Sequence, residues 1–117
     1  MDQQPERGSG VNTVKLIAVI TTVATIEDAR RLARGMVERR LAACAQLSPI
    51  ESFYPWNGSL QNEPEIRILF KTSAQAYRAL EAAIVELHPY ELPAIYAIEL
   101  SGVHAPYAQW IAENTLI

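Results

Sequence analysis

An α+β sandwich with the element order β-α-β-β-α-β is what this sequence predicts, and three observations carry the prediction. Residues 14–22 and 94–100 are near-continuous apolar runs rich in β-branched side chains, as in strands buried on both faces. Two further stretches carry apolar residues at the 3.6-residue spacing of amphipathic helices. Between those helices, residues 41–72 read as two alternating arms joined at Asn57-Gly58, the dipeptide that most favours a type I′ hairpin turn. This order is that of a ferredoxin-like sandwich, in which right-handed crossovers place both helices on one face of the sheet.

In chain order, residues 1–12 lack the apolar segment of a signal peptide and read as a mobile tail, leaving residues 13–117 as a single domain. After the first strand, Thr25 opens a helix, with Asp28 placed as its capping-box partner. Ile26, Ala29, Leu32, Ala33, Met36 and Val37 form its apolar stripe. Gly35 marks a close approach to the sheet, and Arg39 and Arg40 fall in the last turn, where the helix dipole favours cations.

The hairpin follows. At about 3.4 Å per residue its arms reach roughly 40 Å, whereas a domain of this size has a radius of gyration near 13 Å. The ribbon therefore outruns its own core. Pro49 and Pro55 cannot donate to a ladder, which places them at bulges or on a sheet edge. Thr72, with Gln75, caps a second helix whose stripe is Tyr77, Leu80, Ile84 and Leu87. Pro89 ends that helix by driving His88 out of the α region. Gly102 breaks the last strand, and residues 106–116 form a short C-terminal helix carrying Tyr107, Trp110 and Ile111.

Several function classes recede at once. A net charge of −3 without a basic cluster gives no electrostatic case for nucleic acid. No apolar run approaches the roughly 20 residues of a membrane helix. A single cysteine, Cys44, excludes an internal disulfide and accords with a reducing cytoplasm. No glycine-rich phosphate loop, paired-cysteine motif or nucleophile–histidine set is present, so the expectation is a protein that is not an enzyme. Apolar side chains on both faces of the strands, Leu16 with Ile17, Ile68 with Leu69, Tyr96 with Ile98, leave one sheet face without a second layer. That face calls for another copy of the chain.

An ordered set of motifs then carries a resemblance: Leu41-Ala42-Ala43-Cys44, Tyr54-Pro55-Trp56-Asn57-Gly58, Glu65 leading into Lys71-Thr72, His88-Pro89-Tyr90-Glu91-Leu92-Pro93, and Tyr107 with Trp110-Ile111. Over about residues 16–111 the chain resembles the CutA family of divalent-cation tolerance proteins. The resemblance implies a tight homotrimer assembled through the long hairpins, similar in plan to the PII signalling trimers, which bind small ligands between subunits. It also implies a link to tolerance of copper and other divalent metals, with the His-Pro-Tyr segment lying near a cleft between subunits. Where some bacterial members carry a cysteine and a second histidine, this chain has Thr21 and Leu87.

The candidate residues each admit two readings. His88 with Glu91 offers imidazole and carboxylate donors suited to Cu(II) or another divalent cation, bound weakly and not required for folding; alternatively His88 is a helix C-cap. Cys44 is a soft ligand or a small core hydrophobe. Tyr54, Trp56, Tyr107 and Trp110 form a binding cage or anchor an interface between copies. Lys71 beside the Thr72 helix start is an anion site or a strand end. Glu63 and Glu65, flanking Pro64, are expected to be solvated, or one of them to join Lys71 or Arg67 across strands. The functional expectation is metal binding at the intersubunit cleft. Its alternative is a PII-like trimer that takes a small anion and has no metal function.

Overall fold

The computed structural model describes residues 14–116, so the stretch 1–12 expected to be a tail lies outside the described residues. Its elements are β1 (Leu16–Val23), α1 (Ile26–Glu38), β2 (Cys44–Trp56), β3 (Ser59–Ser73), a 3₁₀ turn (Ala74–Ala76), α2 (Tyr77–Leu87), β4 (Ile95–Glu99) and α3 (Ala105–Glu113). The four strands form one antiparallel sheet in the order β2-β3-β1-β4. This is the predicted ferredoxin-like topology, with the hairpin on one side of β1 and the last strand on the other.

Odd-numbered residues of β1 face the helices. Ile17, Val19 and Val23 pack with Ala29, Leu32 and Met36 of α1 and with Leu80, Ala83 and Ile84 of α2, around Ile68 and Phe70 of β3. Both helices therefore cover the same face. The Thr25 cap is present: its hydroxyl accepts from the Asp28 N–H at 3.1 Å. Gly35 does not mark a close approach, because a Cβ there would meet no atom within 4 Å. Gly35→Ala is accordingly expected to stabilise the chain by about 0.5–1 kcal/mol, read as a raised urea midpoint.

The hairpin runs in unbroken register from Cys44↔Lys71 to Trp56↔Ser59. Asn57 and Gly58 have φ of 51° and 80°, the positive pair that a type I′ turn demands. With no bulge in that register, Pro49 and Pro55 are accommodated because β2 is an edge strand. β1 ends at Val23, opposite Ile66, so the hairpin beyond that point projects past the rest of the sheet. The Cα radius of gyration is 16.3 Å and the longest axis 57 Å, well above the roughly 13 Å of a compact domain.

Three local expectations are corrected. Thr72 does not cap a helix: β3 runs on to Ser73 because it keeps pairing with β1, and the buried Thr72 hydroxyl donates to the Leu41 carbonyl at 2.8 Å. Arg39 and Arg40 lie beyond α1. Arg40 is left-handed (φ 59°), which turns the chain so that its guanidinium reaches the Glu113 carbonyl at the end of α3, 2.8 Å away. Finally, the open face is not bare at both ends. α3 lies over one end, burying Ile111 with Leu16 and Ala43. The other part stays open, with Tyr96 and Ile98 of β4 49% and 51% exposed.

The end of α2 follows its prediction. Helix stops at Leu87, and His88 is extended (φ −74°, ψ 134°) ahead of Pro89. That extended step sends residues 88–94 across the end of β1 towards the projecting hairpin.

Candidate functional site

A cavity of about 730 Å³ occupies the angle between the projecting hairpin, the end of β1 and the segment after α2. Thr22 and Ala24 form its floor at the end of β1. The hairpin supplies Ser52, Phe53, Tyr54 and Trp56 from one arm and Glu63 and Glu65 from the other. Tyr90, Glu91, Leu92 and Ala94 close the remaining side. Three glutamates and four aromatic rings share this lining, and no lysine or arginine joins them.

Glu65 is the organising residue. Its carboxylate accepts from the Ser52 hydroxyl at 2.7 Å on one oxygen and from the Tyr90 hydroxyl at 2.6 Å on the other. Only 7% of the residue is exposed, which corrects the expectation of a solvated side chain. Burial, then the Glu65 carboxylate, push the Tyr90 phenol above its ordinary range, so it stays a neutral donor at physiological pH. Glu63 accepts from the Tyr54 hydroxyl at 3.1 Å.

His88 stands behind this wall, 8% exposed. One ring nitrogen, Nε2, lies 2.8 Å from the Thr22 carbonyl, which can only accept; the other, Nδ1, lies 3.1 Å from the Tyr90 backbone N–H, which can only donate. The two partners together assign the neutral tautomer with the proton on Nε2. Burial lowers the imidazole pKa below its ordinary value, partly offset by the hydrogen bond to Thr22. His88 is thus the C-cap residue of α2, but its ring ties the helix end to β1 instead of to a carbonyl of its own helix. The Leu87 carbonyl is met by Arg31 of α1 at 3.3 Å.

The other candidate residues lie elsewhere. Cys44 pairs in register with Lys71, which in turn flanks Ala18, four residues along β1 from Thr22; at about 3.4 Å per residue that separates Cys44 from the His88 end by more than 10 Å. Lys71 donates to the Tyr107 hydroxyl at 3.1 Å and lies 5.2 Å from the centre of that ring, while the Cys44 sulfur is 4.0 Å from the same hydroxyl. Tyr107 stacks on Trp110 at 5.8 Å. Tyr54 and Trp56 therefore line the cavity, whereas Tyr107 and Trp110 belong to α3 at the opposite end. Lys71 has no helix start beside it, since β3 runs on to Ser73 and the 3₁₀ turn Ala74–Ala76 separates the strand from α2.

A tightly held resident metal does not fit this donor set. Both His88 nitrogens are committed to the backbone, and among the described residues no three His, Cys, Asp or Glu side chains gather closely enough to hold one ion. Thr21, where some relatives carry cysteine, is fully buried and offers a hydroxyl, a poor substitute for a soft thiolate. Glu91 is exposed at the cavity rim.

Sequence reasoning missed Glu65, although part of its setting was countable. A two-residue turn at Asn57-Gly58 places Glu65 opposite Ile50 and diagonal to Ser52 on the same face. The same count sets Lys71 beside Cys44. Only the resemblance marks Tyr90, through the His-Pro-Tyr segment that it sets near a cleft.

Sheet order, projecting hairpin and a cavity beside the hairpin's root define a ferredoxin-like α+β domain of the kind found in cation-tolerance proteins. The family model described as "CutA1 divalent ion tolerance protein" matches residues 17–114, and the chain belongs to that family. It is 35% identical over 100 residues to the divalent-cation tolerance protein CutA of Pyrococcus horikoshii, covering 86% of this chain and 98% of that one. It is 38% identical over 98 residues to the Thermus thermophilus protein of the same name, covering 83% and 95%. The crystal structure of CutA1 from Oryza sativa superposes with a TM-score of 0.85 at 33% identity, over 87% of this chain and 94% of that one. Membership supports a role in divalent-cation tolerance.

Proposed function

We propose that this chain serves divalent-cation tolerance as a non-enzymatic, cytoplasmic homotrimer whose cavity takes divalent cations weakly, through carboxylates. The observation that carries the reading is the lining itself: Glu63, Glu65 and Glu91 with no basic side chain among them. The exposed carboxylates of Glu63 and Glu91 suit a cation that keeps part of its water shell. His88 supplies an imidazole lone pair only if the Tyr90 N–H lets go of it, so copper binding there competes with a hydrogen bond that holds the wall in place. Supporting the trimer are the exposed Tyr96 and Ile98 on the open face and the exposed Leu60 on the hairpin, outside the cavity lining. The anionic-ligand alternative draws no support from the cavity, because Lys71 stands at the other end of the sheet.

Calorimetric titration with Cu(II) and with Mn(II) tests this. The double variant Glu63→Gln/Glu91→Gln is expected to raise the dissociation constant at least about tenfold, equivalent to roughly 1.4 kcal/mol. Unchanged affinity there, with loss in His88→Gln, would move the site to the imidazole. Cell fractionation checks the cytoplasmic assignment.

A further inference from the structure

The cavity that draws a metal ion by charge is built for something larger. It is a cleft open to solvent on one side, with a volume of about 730 Å³, in the range of about 300–1,000 Å³ typical of small-molecule sites. Its carboxylates do not converge on a point, since among the described residues no acidic trio approaches one ion's coordination distance. A single compact cation therefore cannot use all of them, whereas a ligand with separated positive charges can. The rings of Phe53, Trp56 and Tyr90, together with Leu92, share the lining with these carboxylates. Aromatic faces attract ammonium groups and also pack against methylene chains.

From these features we infer that the cavity binds an aliphatic di- or polyamine, with ammonium groups on Glu65 and on Glu63 or Glu91 and the methylene stem along the Phe53, Trp56 and Leu92 surface. Glu65 is already oriented for the task. Ser52 and Tyr90 each occupy one of its oxygens, and each oxygen keeps a lone-pair direction for a ligand N–H. The absence of lysine and arginine from the lining means that no cationic side chain of the cavity competes for the carboxylates. The inference goes beyond metal binding and does not require it, since the amine needs no metal bridge.

The test uses the full-length assembled protein after removal of metal with a chelator, titrated with spermidine by calorimetry. Saturable binding at one equivalent per chain is expected, with putrescine weaker and glutarate, a dianion of comparable length, showing none. Glu65→Gln is expected to weaken spermidine at least tenfold, and Trp56→Leu several-fold. If Glu65→Gln fails to fold because that residue is buried, the exposed Glu91→Gln reads the same site and is expected to weaken binding about threefold or more. Glu86→Gln, on the exposed side of α2, leaves binding unchanged. Absent or non-saturating heat, or equal losses in Glu86→Gln and Glu91→Gln, would overturn the inference as non-specific charge attraction. So would spermidine binding to a dissociated variant but not to the assembly, since that outcome means another copy of the chain fills the cavity. The Cu(II) and Mn(II) titrations are run without amine, so either reading fails without the other.

Discussion

Ile98→Asp is expected to turn the wild-type assembly into folded single subunits. Ile98 and its neighbour Tyr96 stand half-exposed on β4, opposite Ala18 and Ile20, on the face that the helices do not cover. In an isolated chain a carboxylate there would meet water and cost the fold little. In an assembly that closes over this face, each copy would bury an unpaired charge, a penalty of several kcal/mol per site. A penalty of roughly 3–4 kcal/mol per contact corresponds to a loss of some hundred- to thousandfold in association. Sedimentation at micromolar concentration is expected to give about three times the 13.0 kDa chain mass for the wild type and a single chain mass for the variant, with unchanged far-ultraviolet dichroism. Wild-type unfolding is then concentration-dependent and that of the variant is not. A wild-type protein that sediments as a folded monomer would remove the assembly, and with it the explanation for so much exposed apolar sheet.

Local chemistry made most of the fold readable. The Thr25 cap, the positive-φ pair at Asn57-Gly58 and the stop before Pro89 each depend on a few adjacent residues, and each is where the sequence places it. The errors fall where a distant partner decides. Thr72 and Ser73 look like a helix start, yet pairing with Leu16 and Ile17 keeps them in the strand. Leu16, Ala43 and Ile111 form their own small core only because α3 returns across the sheet. Glu65 is the clearest case: it carries the markings of a surface glutamate beside proline, and is buried by a tyrosine 25 residues further on. Periodicity reports burial against the chain's own regular elements. It does not report a polar contact brought about by an irregular segment such as residues 88–94.

That segment gives the second large effect, at His88. His88→Ala is expected to cost the metal-free protein roughly 3 kcal/mol in chemical denaturation at fixed concentration. The reason is that two part-buried backbone groups, the Thr22 carbonyl and the Tyr90 N–H, lose their partner together, at about 1–3 kcal/mol each before any water enters. The same bonds fix the sign of a pH dependence. The folded imidazole is held neutral by burial, its pKa below the ordinary 6.5, so the unfolded chain takes up a proton first as the pH falls. The stability contributed by the neutral ring is therefore fully present above about pH 6.5 and is lost as the pH drops through the folded value. Comparing wild type with His88→Gln at pH 7.5 and at pH 5 isolates this contribution, because the carboxylates titrate in both proteins. The wild-type advantage is expected to shrink at the lower pH. A ring kept only to hold metal would behave differently, since its removal would leave the metal-free protein as stable as the wild type at both pH values. A shrinking advantage thus makes His88 the fastener that holds Tyr90, and through it Glu65, against the end of β1.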